Sequence, residues 1–327
     1  MVSKIIIDEG VFDERFTPET LVCREGQARE IARCLAPVKS GKFAKSLYIH
    51  GPPGIGKTSV AKWILREHFE NNSVYVNCWN KRTSHKIMED ILLQAGHVIH
   101  GRESTSDLIK KFEKSKKKFV VCLDESDHIK DSDILYTLAR NSYPLVMISN
   151  RPFSLSEVDY RITSSLSFDE VEFKPYNRDE ILSILRDRVT YGMKPGSIND
   201  NLLSVVAGMC NGDARIGLHI MRSAAMDAEL NGRDMITLEH IKNASKSARK
   251  YRLSYVLSNL NQEQRIIYEI LQKNKVMDSG QLFEEYRQTS KNNPIDRTYR
   301  NYMQKMKDME LVREIGKGRW KKYEIVI

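Results

Sequence analysis

Apolar positions along the chain fall into three regimes, and each regime predicts a different kind of element. Short continuous apolar runs dominate the first half. Three of the five residues in Ser46–His50 are apolar, and 119–123 and Leu145–Ser149 are apolar nearly throughout. Runs of this length without alternation fit strands of a parallel sheet covered on both faces. Between the first two runs, 59–69 places Val60, Ile64 and Leu65 on one stripe with Trp63 beside it, which predicts a helix. From residue 177 the spacing turns helical over 177–191, 201–210 and Ala214–Leu230. Asn211-Gly212-Asp213 marks a boundary there, with Gly212 ending one helix and Asp213 capping the next. The last stretch predicts helices over 260–273 (stripe Ile266, Ile267, Ile270, Leu271), from Asp278 or Ser279 to 287, and from Ile295 or Asp296 to 309. A hairpin follows, 311–315 and 320–326 around Gly316-Lys317-Gly318-Arg319. The expected fold is an α/β domain with a parallel sheet, then a helical domain, then a module of three helices and a hairpin.

The junction between the first strand and its helix carries chemistry. Gly51-Pro52-Pro53-Gly54-Ile55-Gly56-Lys57-Thr58, running on into Ser59, is a phosphate-binding loop in the strand–loop–helix setting that the pattern needs. Its glycines let successive backbone N–H groups face an anion, and the helix N-terminus adds positive partial charge. Lys57 is expected to reach the β- and γ-phosphates of ATP or ADP, and Thr58 to ligate Mg²⁺. The second apolar strand ends in Asp124-Glu125. Asp124 would hold the metal through water, and Glu125 would orient and polarise the attacking water. The third ends at Asn150, whose amide faces the γ-phosphate region if this strand lies beside the second; an Asn before Arg151-Pro152 is also a good strand terminator. Arg215 lies in the first turn of a helix, where a cation is unfavourable unless an anion offsets it. It reads as a phosphate contact, with an ordinary surface arginine as the alternative.

The last predicted helix has two faces. Ile295, Tyr299, Tyr302, Met303, Met306 and Met309 form its apolar side, while Arg297, Arg300, Asn301 and Gln304 run along the other at i, i+3, i+4 and i+7. That line of donors suits base edges or phosphates in a major groove. Lys317, Arg319, Lys321 and Lys322 on the hairpin would hold backbone phosphates. Charge agrees: residues 241–327 hold 19 Lys and Arg against 10 Asp and Glu, so the whole net charge of +9 falls in the last quarter of the chain. Confinement of the surplus to one module points to a polyanionic partner, double-stranded DNA, with a winged helix used for protein contact as the alternative. The five cysteines lack CxxC spacing and read as small buried residues of a reducing compartment, not metal ligands. No apolar run approaches a membrane span, and Ile5–Ile7 is too short for a signal-peptide core, so a cytoplasmic, nucleoid-associated protein without a membrane partner is expected.

GPPGIGKT, VVCLDE, VMISN and GDAR, in this order, resemble the Walker A, Walker B, sensor 1 and sensor 2 elements of AAA+ ATPases. The ISN and GDARIGLHIMRSAA forms, Val76-Asn77-Cys78 and the stretch 161–166 resemble the archaeal replication initiators related to origin recognition complex and cell division control subunits. The resemblance runs from about Phe12 to the C-terminus. It implies an α/β ATPase domain (1–172), a helical lid (173–250) and a C-terminal winged helix (251–327). It also implies ATP-dependent binding of origin DNA, help in loading the replicative helicase, contact with other initiator subunits, and weak hydrolysis used as a switch. Arg24, in Arg24-Glu25, resembles the family's N-terminal motif near the adenine. There are departures. Only residues 126–149 separate Glu125 from Asn150, where many members are longer. Ser126 replaces an apolar residue, and Ser165 stands where some relatives carry an arginine that acts in trans. Arg161 is then the candidate arginine finger, with a structural ion pair as the alternative. A branch-migration motor, which also joins an AAA+ core to a winged helix, and an ATP-gated regulator are the alternatives.

Overall fold

A computed structural model describes residues 4–42, 44–114, 119–131, 133–152, 168–258, 260–290, 295–309, 311–316, 318 and 321–326. The chain divides into two compact units, Met1–Ile241 and Lys242–Ile327.

The first unit opens with α1 (Glu25–Lys39), β1 (Ser46–His50), α2 (Lys57–Phe69), β2 (Ser73–Asn77), α3 (Ser84–Gln94) and α4 (Thr105–Glu113). Then come β3 (Val120–Asp124), α5 (Asp133–Arg140), β4 (Leu145–Ser149) and β5 (Phe168–Glu172). The five strands form one parallel sheet in the order β2-β3-β4-β1-β5. All residues of β3 and β4 are buried, as the unbroken apolar runs predict. Alternation splits them between two layers. Val74, Val76, Val121, Leu123, Leu145 and Met147 pack with α3, α4 and α5 through Ile87, Ile91, Phe112 and Leu138. The opposite face meets α2 and α1, where Val60, Ile64, Ile31 and Leu35 are each about 1% exposed. Strand order brings β3 and β4, which end in the acidic pair and Asn150, to the side of β1, which feeds the phosphate loop.

Among the described residues, three further helices follow in this unit: α6 (Arg178–Gly192), α7 (Asp200–Gly208) and α8 (Ala214–Leu230). Gly212 does not end the middle helix. That helix stops at Gly208, and Asn211 and Gly212, both left-handed at φ 47° and 83°, form the turn into α8. Asp213 caps α8 as expected, accepting from the Arg215 amide at 2.9 Å.

α9 (Leu238–Ser258) leads into the second unit: α10 (Gln262–Asn274), β6 (Val276–Asp278), α11 (Ser279–Thr289), α12 (Asp296–Asp308), β7 (Val312–Ile315) and β8 (Lys322–Ile325). The hairpin pairs Val312 with Ile325 and Ile315 with Lys322, and β6 adds a third antiparallel strand on β8, giving the element order of a winged helix. Asp278 occupies the N-cap of α11 without capping it through its side chain, and lies 3.8 Å from Lys322 Nζ instead. Tyr299, Met303 and Met306 of α12 are at most 3% exposed and pack with Ile267, Leu271 and Tyr286. Truncating either buried methionine would cost about 2–5 kcal/mol. Among the described residues no helix is long and apolar enough to cross a membrane.

Candidate nucleotide site and DNA-binding face

Two glycines shape the phosphate loop. Gly54 has φ 76°, and a Cβ there would fall 1.8 Å from Asp213 Oδ1. Gly56 is the left-handed N-cap of α2, with φ 88°, and a Cβ there would meet the Tyr176 hydroxyl at 2.4 Å. No side chain caps α2, so its first-turn amides stay available to an anion. The loop is braced from two sides. Ala214 at the start of α8 donates its amide to the Gly54 carbonyl at 3.0 Å. Arg24, 4% exposed, donates to the carbonyls of Ile55 (3.1 Å) and Lys174 (2.6 Å) and lies 3.9 Å over the Tyr176 ring. Its guanidinium therefore shapes the loop from behind.

The register of the sheet assembles the remaining groups. His50 pairs with Ser149, so Asn150 emerges beside Gly51. Lys57, 6% exposed, donates to the carbonyls of Gly51 and Pro52, both at 2.7 Å, and to Asn150 Oδ1 at 3.0 Å. Thr58 Oγ1 donates to Asp124 Oδ2 at 2.8 Å. The same oxygen accepts the Tyr75 hydroxyl at 2.5 Å, and Asp124 Oδ1 accepts the Glu125 amide at 2.9 Å. Lys57, Thr58, Asp124 and Asn150 thus form one connected constellation at the C-terminal edge of the sheet, where ligands bind in such folds.

Glu125 sits beyond Asp124 in a left-handed conformation, φ 56° and ψ 41°. Its carboxylate lies 3.4 Å from His128 Nε2, and the His128 ring meets Trp79 edge-on at 4.4 Å. Burial raises its pKa above the ordinary carboxylate value, and the charges of Asp124 and Asp127 raise it further. Ser126, the departure after the acidic pair, is 8% exposed and donates to the Ile148 carbonyl at 3.0 Å, tying the turn to β4. Arg215 reaches Asp213 at 3.2 Å and Glu14 at 3.9 Å. Its helix-end charge is therefore partly met by the cap itself, and it still lies near enough to act on both Lys57 and Glu125.

Burial pushes the Lys57 ammonium down from 10.5 to about 8; the Asp124 charge opposes this and Arg215 reinforces it. A polyphosphate arriving at the loop favours the charged form. ATP affinity is therefore expected to fall as pH rises through about 8, and binding near that pH to take up protons. The unfolded chain holds its proton up to the ordinary lysine value, so fold stability in the absence of nucleotide should rise over the same window. Calorimetry in buffers of different ionisation enthalpy reads the uptake, and buffer-independent heats at pH 8 would contradict it.

Thr58 and Asp124 offer hard oxygen donors side by side, and among the described residues no group of three or more His, Cys, Asp or Glu could form a separate metal cage. This set fits Mg²⁺, which is bound by one or two protein oxygens together with substrate phosphates. Arg161 lies outside the described residues.

In the second unit Arg297, Arg300, Asn301 and Gln304 all project from the exposed face of α12. Arg300 pairs with Asp296 at 2.5 Å, both well exposed. Lys321 is held by Glu314 at 2.9 Å, beside Lys307 on the same carboxylate. Lys317 and Arg319 lie outside the described residues. Tyr75 and Tyr176 are the contacts that sequence reasoning missed. The alternation of β2, with Val74 and Val76 buried and Tyr75 between them, was the available signal.

Residues 42–151 match the AAA domain family, and residues 182–246 match the Cdc6 AAA+ ATPase-type lid domain. The ORC1-type DNA replication protein 9 of Halobacterium salinarum is 29% identical over 98% of this chain and 94% of its own length. The structure of the Aeropyrum pernix ORC1 protein in complex with DNA has a TM-score of 0.75 at 24% identity, covering all of this chain and 94% of that one. The Aeropyrum pernix ORC2 protein in its ADPNP and ADP complexes gives 0.76 at 22%, covering 98% and 94%. At these identities the two structures establish the shared fold. The lid match and the relatives that cover 84–98% of the chain go further: together they support assignment of the chain to the archaeal Orc1/Cdc6 type of AAA+ initiators.

Proposed function

We propose that this protein is an ATP-dependent, DNA-binding replication initiator that recognises origin DNA and helps load the replicative helicase alongside other initiator subunits. Its three parts are an ATPase domain (1–172), a lid (173–250) and a winged helix (251–327), acting in the cytoplasm on the nucleoid. The observation that carries the reading is the joining of the lid to the phosphate loop, Ala214 on Gly54 and Asp213 against its Cα, in a chain whose charge surplus falls in the C-terminal module.

In this reading residues 51–59 cradle the phosphates, Lys57 neutralises the β- and γ-phosphates, and Asn150 turns from Lys57 toward the γ-phosphate. Thr58 and Asp124 would hold Mg²⁺, which would supply neutralisation of phosphate charge. Glu125 orients the water. Arg215 exchanges Asp213 for a phosphate, so the nucleotide state alters the lid contact. Arg24 shapes the base end of the site. Hydrolysis is slow and resets the switch, and Arg161 is the candidate group acting on a neighbouring subunit's nucleotide.

On DNA, α12 enters the major groove with Arg297, Arg300, Asn301 and Gln304 toward the bases, while Lys317, Arg319, Lys321 and Lys322 meet backbone phosphates. The exposed Asp296 pair contributes little and is surrendered readily. Arg300→Ala is expected to cost roughly 1–3 kcal/mol on the preferred site if it reads a base. Anisotropy at fixed salt on preferred and scrambled duplexes checks this, and an equal loss on both would make it a phosphate contact. The function itself is tested by footprinting the full chain with ATP on fragments of its source genome near physiological salt with competitor DNA. Discrete protected sites that require ATP support an origin-reading initiator. Uniform weak protection, or preference for branched DNA, would move the assignment to a motor.

A further inference from the structure

We propose that Tyr75 is a positioning residue for the metal site, fixing the Asp124 carboxylate through its hydroxyl. The inference rests on the reading of Asp124 as the carboxylate that serves Mg²⁺. Three donors converge on that carboxylate: the Thr58 hydroxyl and the Tyr75 hydroxyl on Oδ2, and the Glu125 amide on Oδ1. Two of them come from the loop helix and from the carboxylate's own strand. Tyr75 is the only one of the three supplied by the neighbouring strand.

β2 is the edge strand of the sheet and pairs with β3 in parallel register, Tyr75 opposite Cys122 and Asn77 opposite Asp124. The tyrosine reaches forward along its strand to the carboxylate two positions further on. It does so on the face opposite Val74 and Val76, the face that α2 covers. Its position is itself held at both ends. The Gln94 side chain accepts from the Tyr75 amide at 3.0 Å and donates to its carbonyl at 2.8 Å. Lys62 of α2 places its ammonium 4.6 Å over the ring. A clipped backbone, a covered ring and a short hydroxyl contact make a rigid strut from the sheet edge to the carboxylate. Partners of this kind orient metal-site ligands, and their removal typically weakens metal affinity about 10–100-fold.

Tyr75→Phe removes the strut's last atom and keeps the ring under Lys62. With a fluorescent ADP analogue, the Mg²⁺ concentration that half-maximally tightens nucleotide binding should rise at least about tenfold. Affinity in EDTA should stay at the wild-type value, a split that a packing defect would not produce. Superimposable Mg²⁺ titrations, or an equal loss with and without Mg²⁺, would overturn the proposal. Asp124→Asn, measured in parallel with thermal unfolding to confirm folding, separates the two levels. If it abolishes the Mg²⁺ effect while Tyr75→Phe is silent, only the role of Tyr75 falls. If it leaves the Mg²⁺ effect intact, the assignment of Asp124 falls and the proposal with it.

Discussion

Lys57→Ala is expected to weaken ATP binding by about 100-fold or more, since truncating one partner of a buried charge contact typically costs 2–5 kcal/mol or beyond. The lysine is 6% exposed and its ammonium contacts only oxygen acceptors: the Gly51 and Pro52 carbonyls and Asn150 Oδ1. Desolvation has already been imposed by the fold, as the downward shift of its pKa to about 8 records. A γ-phosphate that replaces a neutral carbonyl therefore recovers interaction energy without further burial of the cation. Alanine removes that gain and leaves two loop carbonyls without their donor, so the loop itself is expected to loosen. Titration of the variant with a fluorescent ATP analogue measures the effect, and an affinity equal to wild type would remove Lys57 from the phosphate site.

The phosphate site was legible because its signal is local. Gly51 through Thr58 are contiguous, and the flanking strand and helix are marked by their own periodicity, although the helix begins at Lys57, two residues before the start at 59 that its periodicity predicts. The stripe starts at Val60 because the first-turn side chains bond polar groups, Lys57 the loop carbonyls and Thr58 the Asp124 carboxylate, and do not pack in the apolar core. Asp124 and Asn150 were legible as strand ends, while their meeting with Lys57 and Thr58 depended on the strand order. Tyr75 was not legible. Its partner is 49 positions away, and only the pairing of β2 with β3 brings them together. β5 escaped for a different reason: Phe-Asp-Glu-Val-Glu buries Val171 alone, so charges mask the strand at the sheet's edge. β6 has three residues, too few for any period to show. Arg215 reads in the sequence as a first-turn cation awaiting an anion, a phosphate contact or an ordinary surface arginine. The capping aspartate two residues before it supplies the counter-charge, a pairing visible in the sequence only once Asp213 is known to turn back on its own helix.

Glu125→Gln is expected to leave ATP bound and to slow its hydrolysis by about 10²–10⁴-fold, the usual contribution of a positioned general base. The substitution is nearly isosteric, and the amide oxygen can still face His128, so the turn should survive. That turn is held in a left-handed backbone costing roughly 1–2 kcal/mol for a residue with a Cβ. The Glu125 amide on Asp124 and the Ser126 hydroxyl on Ile148 hold it there. The left-handed residue ends the strand at Asp124 and places the Glu125 carboxylate beside His128, and strain of this kind concentrates where side-chain placement is functional. The raised pKa adds a chemical reason. Burial and two neighbouring carboxylates make Glu125 more basic than a surface glutamate, closer to what proton abstraction from water requires. Glutamine keeps the shape and loses the basicity, so the loss should appear in single-turnover hydrolysis and be absent from nucleotide affinity. Turnover at the wild-type rate would mean that the water is oriented elsewhere, and Asn150, already hydrogen-bonded to Lys57, would be the next residue to substitute.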